Sequence, residues 1–173
     1  MAKGKVIDQY ANIACLTVTE TAINTMTATK FNFPFSIMDK MALIINRIEW
    51  DFTAWIAALT ASADQLRAAI TCAAVVTDIT NGADPLIVDS FRIIRYDMGA
   101  AASGWVRETP YIKDFASLPG GGLLVAPNPL YLMIQGASAA AVGTIMARLF
   151  YTYIELETDE YWQLVESRRI ISS

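Results

Sequence analysis

The chain is expected to fold as an all-β domain, a sandwich or barrel of about eight short antiparallel strands followed by a short C-terminal helix. Three observations predict this. β-prone apolar runs recur at short spacing along the 173 residues, separated by Gly, Pro and Asn turn signals. Several runs alternate apolar with polar residues, the period of a strand with one wet face. There is no βαβ alternation and no repeat of fixed period. The length fits one domain with a core of its own.

Residues 1–12 read as a loose polar arm, 13–157 as the β domain, and 158–173 as a helix and tail. In the first strand, Ala14, Leu16 and Val18 alternate with Cys15, Thr17 and Thr19. Ala22 to Thr29 keeps a β-prone tone with a break at Asn24, and Pro34 within Phe31–Phe35 predicts an edge or a bulge. A turn follows at Ser36–Lys40. In Met41–Trp50 the expectation is one apolar face of Ala42, Ile44, Ile48 and Trp50, interrupted by Asn46, with Arg47 and Glu49 opposite.

Asp51–Ser62 is ambiguous. Phe52, Trp55, Ile56 and Leu59 have helical spacing, and Ser62–Gln65 has the form of a capping box, but Ile70–Thr77 is a β run, which favours loop and strand. The Asn81-Gly-Ala-Asp-Pro85 turn predicts that Leu66–Thr77 and Leu86–Asp97 are antiparallel neighbours. Met98–Gly104 reads as a small-residue loop, and Trp105–Leu118 as one or two short strands broken by Pro110.

The stretch Leu118–Leu156 organises the rest, with β runs at Leu130–Gln135 and Thr144–Leu156 around a charge-poor loop. The triple glycine 120–122 is expected to serve positive φ or close backbone approach. Thr158 is placed as the N-cap of the last helix, with Asp159 and Glu160 in its first turn and Arg168 and Arg169 at its far end.

Composition narrows the function. Apolar residues make up 54% of the chain and charged ones only 17%, less charge than a lone soluble domain usually carries. Either a membrane or other copies of the chain would cover such a surface. Prolines and glycines break the longest uncharged run, Phe115–Ala147, and no signal peptide stands out, so self-association is preferred. A net charge of −4 and a basic arm of only Lys3 and Lys5 argue against a large phosphate-binding face.

No enzyme is expected. The absence of histidine removes Ser-His-Asp, Cys-His and His-zinc chemistry, and the glycine triplet lacks the Lys and Ser/Thr of a phosphate loop. Cys15 and Cys72 are expected as buried free thiols, with a disulfide or an intersubunit bridge as alternatives. Glu155, Glu157, Asp159 and Glu160 read as a solvated strand end and helix start. Calcium between subunits is the alternative there, and no other cofactor is expected. Aromatic and basic residues interleave at Phe91, Arg92, Arg95 and Tyr96, and at Arg148, Tyr151 and Tyr153. A β core explains them better than nucleic-acid stacking does.

With these residues in view, the chain resembles the single jelly-roll capsid proteins of small icosahedral viruses. The carriers are the short strands, the Leu118–Tyr131 loop-and-strand, and the Ala147–Leu156 strand followed by Asp159-Glu-Tyr-Trp-Gln-Leu-Val-Glu166. The size is also similar to the smaller capsid protein of tailless, membrane-containing phages. The resemblance implies two four-stranded sheets and a virion subunit, made in the host cytoplasm, that assembles with copies of itself into an icosahedral shell. A second capsid protein and contact with a membrane stay open.

One departure is the missing arginine-rich arm, so the shell would enclose nucleic acid without one. Contacts between copies are then expected at Met98–Gly104, Leu118–Pro129, Gly136–Gly143 and the last helix, with Pro119, Pro127, Pro129, Tyr161, Trp162, Arg168 and Arg169 as the candidate residues. The rival is a carbohydrate- or ligand-binding β-sandwich that displays Trp50, Trp55 or Trp105. A β-sandwich enzyme using the carboxylates is a distant third.

Overall fold

A computed structural model describes residues 5–6, 11–34, 39–52, 60–61, 63–81, 83–94, 111–126 and 129–169, with side chains at 5–6 and 167–169 left out. The expectations at 36–38, 53–59, 95–110, 127 and the 170–173 tail therefore lie outside the described residues. These include Trp55, Arg95, Tyr96, the Met98–Gly104 loop, Trp105, Pro110 and Pro127.

Ten strands are described: β1 (Lys5–Val6), β2 (Asn12–Thr19), β3 (Thr27–Lys30), β4 (Met41–Asp51), β5 (Gln65–Thr71), β6 (Ile87–Ile94), β7 (Tyr111–Asp114), β8 (Leu123–Val125), β9 (Tyr131–Ala137) and β10 (Thr144–Glu155). One helix, α1 (Thr158–Arg169), follows. All strand pairs are antiparallel.

The smaller sheet runs β3-β9-β5-β6. The larger has six strands but only four rows. β1 and β2 lie end to end along one side of β10, β4 lies along the other, and β7 and β8 lie end to end beyond β4. From β2 to β5 each strand lands in the opposite sheet, and the chain crosses again after β6, after β8 and after β9. This is a jelly-roll sandwich, with four rows in each sheet. The two runs that organise the chain, β9 and β10, fall in different sheets. The segment expected as an N-terminal arm supplies β1 at the edge of β10.

The core lies between the sheets. Leu43, Ile45, Ile48, Trp50, Ala147 and Leu149 face Leu66, Ala68, Ile70, Phe91, Leu132 and Ile134. In β2 the alternation is as expected, with Val18 buried and Ile13, Cys15, Thr17 and Thr19 exposed. Cys15 is therefore an exposed thiol, and Cys72 is half-buried; the two are not joined in a disulfide. An alternating strand with one wet face puts every second residue in water, and Cys15 sits on that face.

The single apolar face expected for β4 is corrected by a bulge. Phe150 pairs with Arg47 and Tyr151 with Ile45, so Asn46 is an extra residue without a partner. One inserted residue shifts the phase of the pleat. Before it Leu43 and Ile45 face the core, and after it Ile48 and Trp50 do. Ala42 and Ile44 instead look outward, under α1.

At residues 63–65 the favoured loop-and-strand reading holds over the capping box, whose Ser62 lies outside the described residues. Asp64 caps a turn by accepting the Thr60 and Ala61 N–H groups at 2.8 and 2.7 Å, and Gln65 opens β5. The β run beyond Thr71 ends early. Residues 72–81 fold over the outer face of the smaller sheet instead, where Val76 and Ile79 bury against Ala69, Ile87 and Met133. The antiparallel pairing of β5 with β6 is as the Asn81–Pro85 turn predicts.

At the C-terminus the Tyr161 N–H donates to the Glu157 carbonyl at 2.9 Å. Glu157, not Thr158, is thus the capping position, and Thr158 opens the helix.

Candidate assembly surface

One end of the sandwich is laced shut by polar groups. The Glu20 carboxylate, only 4% exposed, accepts the Gly136 N–H at 2.6 Å and the Gly143 N–H at 2.7 Å. Asn24, in the left-handed region at φ 60°, accepts the Ala139 N–H at 3.0 Å and donates to the Ala139 carbonyl at 3.3 Å. Gly136–Gly143, expected to make contacts between copies, is in its first two residues the end of β9 and in the rest a loop held to the 20–26 loop in a defined shape. Val142 remains exposed on it.

Cross-strand registers define the outer face of the larger sheet above α1. One row runs Ile13, Phe150, Arg47, Asp114, and the next runs Cys15, Arg148, Glu49, Ile112. Glu49 is the pivot. It is nearly buried, accepts from Arg47 Nη2 at 2.6 Å and faces Arg148 Nη1 at 3.6 Å. The Arg47 guanidinium also lies 4.1 Å from the Phe150 ring centre. A shallow groove lined by Glu49, Asp51, Met146 and Arg148 adjoins them. The face is mixed, with Glu49 ion-paired inside the chain and Ile13 and Ile112 open to solvent.

The lower part of that face is covered by α1. Tyr161 buries its ring against Ala42, Ile154 and Leu156, and Trp162 on the neighbouring position is 43% exposed. Of the two aromatic candidates, Tyr161 anchors the helix to its own sheet and Trp162 is the one presented outward. Arg168 and Arg169 are helical, at its C-terminal end. Pro119 and Pro129 are exposed at the two ends of the loop that contains β8, with Leu118 exposed beside the first.

In that loop Gly120 and Gly121 take φ of 90° and 78°, and Asn46 Nδ2 donates to the Gly121 carbonyl at 2.5 Å. A Cβ on Gly122 would stand 2.5 Å from the Ile45 carbonyl oxygen, so this glycine permits close backbone approach. Both expected uses of the triplet are present. The β4 bulge is what turns Asn46 towards it.

The open edge between the sheets is closed by Asp89. It accepts from Trp50 Nε1 at 3.1 Å and from Lys113 Nζ at 2.5 Å. Lys113 also donates to the Ser90 carbonyl at 2.6 Å. Trp50 has no exposed surface and stacks near Phe91, so it offers no platform to a sugar, and the rival reading loses that residue. Phe91 and Tyr151 are also core residues.

Glu155 ends β10 and Glu157 lies beyond it, so the two do not share a strand face. Among the described residues no group of three or more His, Cys, Asp or Glu is placed to hold a metal ion. No helix among them is long and apolar enough to cross a membrane.

Glu20, Glu49 and Asp89 were not singled out from sequence. Glu20 left a signal, being the only charged residue between Asp8 and Lys30. Glu49 left one in Arg47, two residues before it on the same strand face, and Asp89 left none, because its partners Trp50 and Lys113 come from other strands.

No protein-family model matches the chain, and no curated protein matches it in sequence. In structure it is similar to VP1 of KI polyomavirus, a jelly-roll capsid protein solved as an unassembled pentamer. The TM-score is 0.50 at 9% identity, over 91% of this chain and 99% of that one. At that identity the likeness is one of fold, the jelly-roll sandwich of viral capsid proteins.

Proposed function

We propose that this protein is a structural virion subunit that assembles with copies of itself into a closed icosahedral shell. The observation that carries the reading is a jelly-roll sandwich, alike in fold to a capsid protein over nearly its whole length, on a chain with only 17% charged residues. A surface so poor in charge favours burial against neighbours, and symmetric assembly buries it. The polar clusters described above serve the fold: Glu20, Asn24, Glu49 and Asp89 all spend their hydrogen bonds inside the chain. None presents the activated nucleophile or acid/base pair that a hydrolytic site needs.

Contacts between copies fall to the 138–143 loop, the loop carrying Pro119 and Pro129, Trp162, and the helix end with Arg168 and Arg169. The arginines pair with an acidic stretch of a neighbour, Glu155 to Glu160. The shell encloses nucleic acid without a basic arm.

Mass photometry and negative-stain microscopy across salt and protein concentration test the reading. Closed particles of tens of copies are the expected result. A monomer or dimer under every condition overturns it. An Arg168→Glu/Arg169→Glu protein that assembles as well as the parent at physiological salt removes the arginine pairing alone.

A further inference from the structure

The sheet edges are unequally defended. In the smaller sheet, edge strand β3 has four residues and ends in Lys30, and the opposite edge, β6, carries a bulge at Val88 together with Asp89 and Arg92. On the far side of the larger sheet, β7 has four residues including Lys113 and Asp114, and β8 has three. Short, charged or bulged edges discourage pairing with another chain. Strand β2 has none of these devices. It is eight residues long, Asn-Ile-Ala-Cys-Leu-Thr-Val-Thr, without charge, proline or glycine, and pairs with β10 in unbroken register.

The direction of its backbone groups follows from one bond. The Glu20 N–H donates to the Gly143 carbonyl at 2.9 Å, and residues 20 and 143 continue the Thr19↔Thr144 register. In an antiparallel ladder the residues that bond to the partner alternate. Even-numbered β2 residues therefore bond to β10, and Ile13, Cys15 and Thr17 turn their N–H and C=O groups to the open side. Among the described residues no strand pairs there. The side chains of the same three residues are exposed on the outer face, Ile13 to 60%.

We propose that β2 pairs antiparallel with β2 of a second copy across a twofold axis, joining two six-stranded sheets into one. A second copy fits because the strand is compatible with itself. It is uncharged, so no like charges meet across the axis. With the axis at Cys15, Ile13 faces Thr17 of the other copy, Cys15 faces Cys15, and the N–H and C=O groups of all three residues find partners. Opposed residues of a bonded pair have Cα atoms about 5.5 Å apart, within disulfide reach. This deepens the reading of the chain as a self-assembling subunit by naming one of its contacts.

The test uses the full chain carrying Cys72→Ser, so that Cys15 is its one thiol. Diamide oxidation is expected to link Cys15 to Cys15 and give a covalent dimer on a non-reducing gel. Thr17→Pro removes an N–H from the open edge and none from the β2–β10 ladder. It is expected to leave the far-UV circular dichroism unchanged and weaken dimerisation at least tenfold.

Should Thr17→Pro fail to fold, Cys15→Lys sets two ammonium groups against each other at an exposed position, with Cys15→Ser as its control. The lysine is expected to block association and the serine to keep it. Folded variants that associate like the parent overturn the proposal, and so does a parent that neither dimerises nor cross-links. If Thr17→Pro protein closes into particles as readily as the parent, the edge pairing fails and the shell reading stands. If the parent stops at a cross-linkable dimer, the shell reading fails and the edge pairing stands.

Discussion

Glu20 and Gly143 hold each other twice. The Glu20 N–H donates to the Gly143 carbonyl at 2.9 Å, and the Glu20 carboxylate accepts the Gly143 N–H at 2.7 Å. The other carboxylate oxygen takes the Gly136 N–H in β9. Since β9 and β10 belong to different sheets, one side chain bolts the sandwich together at its loop end.

Glu20→Ala leaves two N–H groups unpaired in a buried place. Stability is expected to fall by about 3 kcal/mol, since bonds to a charged group are worth about 1.5–3 kcal/mol each. Glu20→Gln keeps one acceptor but turns an NH2 towards an N–H, and about half that loss is expected. Urea denaturation midpoints measure both.

Gly122→Ala sets a methyl group 2.5 Å from the Ile45 carbonyl oxygen, backbone that cannot swing away. A loss of about 2 kcal/mol is expected from overpacking. Gly120→Ala meets no atom, and its cost is confined to the left-handed backbone, about 1 kcal/mol. The ranking of the two thermal midpoints is the check.

Lys113→Met strips the cation from Asp89 and leaves Trp50 Nε1 as its remaining side-chain donor. The carboxylate is largely buried and the ammonium partly exposed, so solvent screens some of the loss. About 2 kcal/mol is expected, and a Lys113→Met/Asp89→Leu double variant should recover part of it, because an apolar pair leaves no charge stranded. A double-mutant cycle in urea measures the coupling.

Burial pushes the Tyr161 phenol above its ordinary range. The folded chain then holds that proton more tightly than the unfolded chain. The stabilisation is whole below the unfolded value, about 10, and drains away as pH rises through the folded one. Thermal midpoints between pH 9 and about pH 11 are expected to fall more steeply in the parent than in Tyr161→Phe. Tyr161→Ala, which empties the site under α1, is expected to cost about 3 kcal/mol at neutral pH.

Much of the fold was legible because its signals are local. The alternation in β2, the Asn81–Pro85 turn between β5 and β6, and the glycine triplet each speak through neighbouring residues. The phase of β4 was not, because the Asn46 bulge exists only in relation to β10, which begins almost a hundred residues later along the chain. Tyr161 and Trp162 are adjacent aromatics, and only the helix docked on Ala42 and Ile154 decides which is covered. Likewise the Asp89 site gathers β4, β6 and β7, so no window of sequence contains it.

The inner strand β10 of the larger sheet is made after every other described strand. Its flanking strands β2 and β4 end at Thr19 and Asp51, far ahead of residues 144–155. On the ribosome the nascent chain therefore waits with a gap in the middle of its sheet and two unmatched strands beside it. Such long-range closure folds slowly and leaves sticky edges open while it waits. Completion of the larger sheet waits for residues 144–155, so a chain cut short before residue 144 lacks the strand that joins β2 to β4, and an incomplete subunit is barred from the sheet geometry that a finished one offers.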